Sequence, residues 1–330
     1  MEHSKKSPLH WNIVLKGAAM GIAEIIPGVS GGTIAFITGI YERLMASIKS
    51  FDLEAVRVLA QKGGVSTFWQ KIDGWFLCLL FGGMITGLVA GAFGVTWIIE
   101  YYPLHLWGFF FGLIFASFFM IIADIKTWNI AFFIWVIAGT VIAYFITELS
   151  PLEPNMALWY VGLSGMLAIT ALMLPGISGS FILLILGMYT YILPTFKNFI
   201  STFDLASLII LAVFGIGCLV GVLGFSRIIS FTFLNYRRPT LALMGGFVLG
   251  SLNKIWPWRE SVTFMSKDGE LITAFDASNF EEGSLKLIEE LKVLPWDYSK
   301  EPFTVAVIFC FLLGVSTVYL LSKLDHKQPN

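Results

Sequence analysis

The residues of this chain best suited to chemistry are glycines and hydroxyls set behind a proline, and the set occurs twice. Pro27-Gly28-Val29-Ser30-Gly31-Gly32-Thr33 recurs as Pro175-Gly176-Ile177-Ser178-Gly179-Ser180-Phe181. The copies keep step downstream, where Ile34, Ile37, Gly39 and Tyr41 align with Ile182, Ile185, Gly187 and Tyr189. Proline and glycine interrupt a helix, and the helix that restarts behind them presents its first amide N–H groups and the positive end of its dipole. Such a place favours an anion. Ser30, Thr33, Ser178 and Ser180 add hydroxyl donors, while Gly28, Gly31, Gly32, Gly176 and Gly179 let an oxyanion approach the main chain. One copy alone reads as a kink whose serine bonds its own backbone. Two matched copies favour a site for a phosphate-sized anion.

Charged residues near the turns are few. Glu24 lies three residues before Pro27 in an apolar stretch, where a carboxylate is costly unless paired and so suggests a function. Its counterpart is Leu172, so the architecture does not demand it. Glu24 is the candidate for coupling transport to a proton or Na⁺. Arg43 and Arg227 are candidate phosphate partners near the cytoplasmic edge, with anchoring at the membrane surface as the competing role. No catalytic residue or metal site is expected: His3, His10, His105 and His326 lie outside the apolar runs, and no nucleophile–base pair stands in catalytic spacing.

The elements that must position these groups are apolar. Of 330 residues 57% are hydrophobic and 13% charged, with mean hydropathy +0.80; soluble domains carry about 25% charge. The apolar residues form blocks long enough for helices that cross a bilayer, without the alternation of a barrel. The class is an all-α polytopic membrane protein. A net charge of -1 argues against a nucleic-acid partner. Cys78, Cys218 and Cys310 read as packing residues, and the N-terminus shows no signal-peptide pattern.

The two motifs divide the chain into a first membrane repeat, 1–150, and a second, 151–330. Apolar runs follow the first motif at 75–99, 104–123 and 130–147, and the second at 205–225, 240–252 and 303–321. Gly83 and Gly87 match Gly217 and Gly221, a spacing that lets helix backbones approach closely. Lysine and arginine set the orientation. Lys5, Lys6 and Lys16 precede the first motif, and Arg43, Lys49, Arg57, Lys62 and Lys71 follow it. Both flanks are therefore cytoplasmic, and the segment between them (about 17–41) enters the membrane and returns as a hairpin of two half-helices, each about 12 residues or ~18 Å long. The second hairpin (about 158–193) starts from outside. Arg227, Arg237, Arg238, Lys323 and Lys327 return the chain inside, so both termini are cytoplasmic. Three crossings plus one hairpin per half give two repeats of inverted topology, whose turns meet near mid-membrane. The simpler alternative, in which each motif segment spans fully, puts a basic flank outside. Residues 253–302 break the symmetry and read as a small extracytoplasmic cap, with a strand pair over 262–274 around Lys267-Asp268-Gly269 and a helix over 281–294 carrying Leu285, Ile288 and Leu291 on one face.

The sequence closely resembles the polyprenyl-phosphate transporter family, long catalogued as domain-of-unknown-function family 368. The match rests on 21–33 with Gly39-Ile40-Tyr41-Glu42, on 174–180 with Gly187-Met188-Tyr189, and on Leu249-Gly250-Ser251-Leu252 before Trp256-Pro257-Trp258. The resemblance implies a multi-pass protein of the bacterial cytoplasmic membrane that returns undecaprenyl phosphate from the outer to the inner leaflet, recycling the lipid carrier for peptidoglycan and other envelope polymers. The residues themselves support an anion-selective inverted-repeat transporter; the lipid partner comes from the family. An inorganic-anion channel or exchanger is the alternative, and an intramembrane lipid phosphatase a third that lacks catalytic groups. The residues leave oligomeric state open.

Overall fold

The long apolar runs form helices whose outer faces need a non-aqueous surrounding. The computed structural model describes residues 10–26, 28–59, 61, 63–123, 125, 127–265, 271–273 and 286–326. Pro27, Lys5, Lys6, Lys62, Lys126, Lys327, the Lys267-Asp268-Gly269 turn and residues 281–285 lie outside them. In the first half the helices are α1 (His10–Glu24), α2 (Gly31–Ile37), α3 (Tyr41–Lys49), α4 (Leu53–Leu59), α5 (Gly64–Lys71), α6 (Gly74–Tyr101), α7 (Pro103–Ile122) and α8 (Ile130–Glu148). In the second they are α9 (Leu158–Met173), α10 (Gly179–Ile185), α11 (Tyr189–Thr202), α12 (Leu205–Asn235), α13 (Arg237–Ser251) and α14 (Thr304–His326). Five of those described (α6, α7, α8, α12 and α14) are long and apolar enough to cross a membrane, and α10 with α11 would make a sixth as one broken span. Exposed Phe93, Ile130, Phe145, Leu219 and Phe309 lie on their outer faces. Such large apolar faces suit lipid and not water.

Small residues set how these helices pack. Helix α1 lies along α6, and α9 along α12. A Cβ on Gly83 or Gly87 would collide with the carbonyls of Val14 or Ala18; one on Gly217 or Gly221 would collide with those of Gly162 or Met166. The backbones therefore touch where the glycine spacing said they would. Helix α13 runs between α7 and α8 and is largely buried beyond its exposed Arg237 and Arg238, with Leu241, Ala242, Met244 and Val248 each at most 2% exposed. At 15 residues, or ~22 Å, it is shorter than the ~30 Å hydrocarbon core.

Two expectations need correction. The arms of each hairpin are unequal: α1 and α9 have 15 and 16 residues, whereas α2 and α10 have seven each. The short arms stop because Gly39 (φ 68°) and Gly187 (φ 71°) take left-handed conformations and turn the chain. Beyond Gly187, α11 leaves α10 at 107°. In the cap, residues 286–292, expected as part of a helix, form a strand. Strand β1 (Arg259–Met265) pairs antiparallel with β2 (Leu271–Thr273) and, on its other edge, with β3 (Lys286–Lys292). Register places Phe264 opposite both Ile272 and Leu287. The spacing of Ile288 and Leu291 suits a helix, but an open edge of β1 offers the backbone partners that a short isolated helix would lack. The expected strand pair is present in β1 and β2.

Candidate functional site

The two turns touch. Ser30, at 0% exposure, caps α2: its Oγ accepts from the Gly32 amide at 3.1 Å and donates across to the carbonyls of Leu172 and Leu174 at 3.4 and 3.3 Å. Thr33, also fully buried, accepts from the Gly176 amide at 2.9 Å. Tyr41 adds a third tie, its hydroxyl donating to the Met173 carbonyl at 2.9 Å. Hydroxyls of the first turn thus satisfy backbone groups that the break in the second exposes. Sequence reasoning had matched Tyr41 only as a repeat position, because nothing local shows a partner more than a hundred residues away.

The turns rest on a matched pair of glycines. Gly28 (φ 87°) and Gly176 (φ 86°) both occupy left-handed backbone, which a side chain resists by ~1–2 kcal/mol. A Cβ on Gly176 would also stand 2.7 Å from the Phe247 carbonyl oxygen.

Charge separates the two copies. Glu24, the last residue of α1, accepts from the Gly31 amide at 2.6 Å. With Ser30 taking the Gly32 amide, the start of α2 is filled by the chain's own acceptors. In the second copy Leu172 stands where Glu24 does: a Cβ on Gly31 would meet the Glu24 carboxylate, and one on Gly179 the Leu172 side chain. Ser178 caps α10 weakly, accepting from Phe181 at 3.4 Å, and shares a 2.9 Å hydrogen bond with Ser180. Anion chemistry from the chain itself is therefore supplied to the first turn and not to the second.

A narrow cavity opens beside the second turn, its centre with room for little more than a water molecule. Gly28, Gly176 and Ser178 line it, joined by Ser251 at the end of α13 and by Lys254. Lys254 belongs to a short 3-10 turn, Leu252–Ile255, that follows α13 directly. Its ammonium lies 5.0 Å from the centre of the Phe181 ring, and its Cγ is 3.0 Å from where a Cβ on Gly28 would stand. The sequence reading places it within the 253–302 cap and gives it no role. The available signal was a lysine two residues behind Leu249-Gly250-Ser251-Leu252.

The two arginines singled out earlier are engaged elsewhere. Arg43 makes a two-pronged ion pair with Asp73 at 2.6 and 3.1 Å and lies 4.2 Å over the Phe76 ring. Arg227 donates to the carbonyls of Leu223 and Phe51. Neither lines the cavity.

Beside the cavity, the cap is fastened to the helix ends. Asn253 donates to Thr147 and Glu148 at 2.8 and 2.6 Å. Lys292 of β3 pairs with Glu148 and donates to the Asn253 side-chain oxygen at 2.7 Å. Trp256 and Trp258 donate to the carbonyls of Val293 and Pro302 at 2.8 and 2.9 Å. Arg259, 4.6 Å over the Trp107 ring, pairs with Glu290 at 3.0 Å.

Comparison with known proteins identifies this arrangement's relatives. The VCA0040-like family, described as undecaprenyl phosphate translocase-like, matches residues 20–272. A polyprenyl-phosphate transporter of Vibrio cholerae serotype O1 is 43% identical over 259 residues, covering 78% of this chain and 82% of that protein. A polyprenyl-phosphate transporter of Staphylococcus aureus is 32% identical over 260 residues, 75% of this chain and 86% of its own length. No solved structure matches. The family match takes in both turns and the 3-10 turn that bears Lys254, so the chain belongs to the undecaprenyl phosphate translocase-like family, a family of membrane transporters and not of enzymes.

Proposed function

We propose that this protein returns undecaprenyl phosphate from the outer to the inner leaflet of a bacterial cytoplasmic membrane. The observation that carries the reading is the direct contact of the two turns, Thr33 to Gly176 and Ser30 to Leu172 and Leu174, in a chain of this family. Buried polar backbone at membrane depth is tolerated only where protein or a polar cavity satisfies it. Here the hydroxyls Ser30 and Thr33 hold the turns together, while Gly28, Gly176, Ser178 and Ser180 face the substrate phosphate. Gly32 keeps the turns close enough for that, since a Cβ there would meet the Leu172 carbonyl, while Gly31 and Gly179 let each short arm close on its own long arm. The prenyl tail stays in lipid.

Residues 1–150 and 151–330 act as two repeats of inverted topology, with both termini cytoplasmic and the 253–302 cap outside. Support comes from paired details: left-handed Gly28 and Gly39 against Gly176 and Gly187, and α1 on α6 against α9 on α12 through equivalent glycines. Repeats of this kind alternate access by rocking around a fixed midplane site. Glu24 is the coupling group: protonation would weaken its bond to Gly31 and loosen the start of α2.

The test is reconstitution in liposomes carrying undecaprenyl phosphate in one leaflet. Protein-dependent appearance of the lipid in the other leaflet is expected. Movement of small anions alone would replace this reading by an anion channel or exchanger, and release of inorganic phosphate would replace it by a phosphatase.

A further inference from the structure

The cavity beside the second turn has one charged group on its wall, and the chemistry it can bind follows from that. Lys254 faces it together with Gly28, Gly176 and Ser178, and no carboxylate lines it. The nearby Glu148 is already taken by Lys292 and Asn253. Among the described residues Lys254 makes no ion pair; its ammonium has the Phe181 ring instead, at 5.0 Å. A ring face returns only part of what an ammonium loses on leaving water. The cavity wall therefore carries one cation and no anion of its own.

We infer that Lys254 is the residue that recognises the phosphate monoester, its ammonium binding the headgroup against Ser178 at the second turn. This rests on the reading that the chain carries a polyprenyl phosphate. Three features support it. The first turn already holds an internal carboxylate at Gly31, whereas the second has Leu172 in the equivalent place. Glu148 and Glu290 lie near enough to act on Lys254, but Lys292 with Asn253 engages the first and Arg259 the second, and neither lines the cavity an incoming phosphate would enter. The Ser178–Ser180 hydroxyl pair can turn a donor toward an oxyanion. Finally, the lysine stem packs on Gly28, and rotation of four methylenes widens the cavity as the ammonium follows the phosphate. One cation thereby touches both turns, which links headgroup binding to their relative position.

The test uses purified full-length protein with two probes, inorganic phosphate and farnesyl phosphate, read by calorimetry. Wild-type protein should bind farnesyl phosphate, Lys254→Gln at least tenfold more weakly, and Lys254→Arg within about threefold of wild type. Equal binding by Lys254→Gln and wild type overturns the role of Lys254 and leaves the proposed function standing. Wild-type binding of neither probe overturns both. Lys254-dependent binding of inorganic phosphate alone keeps the phosphate site and overturns the lipid as its source. Should Lys254→Gln fail to fold, wild-type protein decides: farnesyl phosphate must slow the reaction of Lys254 with an amine-selective reagent, and an unchanged rate overturns the inference.

Discussion

The Glu24 carboxylate accepts a hydrogen bond from the Gly31 amide at 2.6 Å, across the break between α1 and α2. The carboxylate that the sequence offers for proton or Na⁺ coupling caps the short arm of the hairpin. Its charge and its hydrogen-bonding capacity can be separated by substitution.

Glu24→Gln retains an oxygen that can accept from Gly31 and removes the titration. Transport should persist with a flattened dependence on pH or Na⁺, measured in the liposome assay. Glu24→Leu, which copies Leu172, should also lower thermal stability by ~1.5–3 kcal/mol, the usual worth of a hydrogen bond to a charged group. Full pH or Na⁺ dependence in Glu24→Gln would leave Glu24 a purely structural role.

Gly28 and Gly176 share a left-handed φ but not their surroundings. Gly176→Ala meets the Phe247 carbonyl at 2.7 Å and should cost ~1–3 kcal/mol of overpacking beyond the ~1–2 kcal/mol of backbone strain. Gly28→Ala meets only a lysine stem and an isoleucine side chain, the nearest atom 3.0 Å away, and should cost little beyond the strain. Melting of the two variants in detergent compares them; equal losses would contradict the difference in packing.

Glycines on one helix should divide in the same way. Gly217→Ala drives a methyl into the Gly162 backbone, whereas Gly215→Ala meets nothing within 4 Å. The first should destabilise by ~1–3 kcal/mol. The second should be neutral or stabilising by up to ~1 kcal/mol, since alanine favours helix more than glycine.

Arg43→Ala should leave transport and farnesyl phosphate binding unchanged, because the guanidinium is committed to Asp73 and Phe76. The pair is 51% and 36% exposed, so stability should fall by no more than ~1 kcal/mol. Loss of binding would return Arg43 to the headgroup site.

The loop helices α4 and α5 carry a pH-sensitive tie away from the turns. Hydrogen bonds from the Ala55 amide and Lys71 hold Asp52 below the ordinary carboxylate range, while bonds to Glu54 and Asp52 raise Lys71 above the ordinary lysine range. The acid's contribution is present above its ordinary range and is lost as pH falls through its lowered value. The base's contribution is complete below its ordinary range and is lost as pH rises through its raised value. Hydrogen exchange of the 53–59 amides, corrected for intrinsic rate, should therefore be slowest between those limits and quicken on both sides.

Much of the frame was legible in the sequence. Apolar run length located α6, α7, α8, α12 and α14, because in hydrocarbon a backbone must satisfy itself locally. Matched glycine spacing told where helices touch, since that contact needs only the absence of a side chain. Composition also marked both turns, because proline and glycine act on their own neighbours. Tertiary structure decided the rest. It gave Gly31 to Glu24 and Gly176 to Thr33, turned residues 286–292 from a helix pattern into a strand, paired Arg43 with Asp73 and Arg227 with the Leu223 and Phe51 carbonyls, and set Lys254 on the cavity wall. Each of these depends on partners far apart in the chain. Sequence spacing reports which groups a residue carries; only the packed fold reports which of them are already spent.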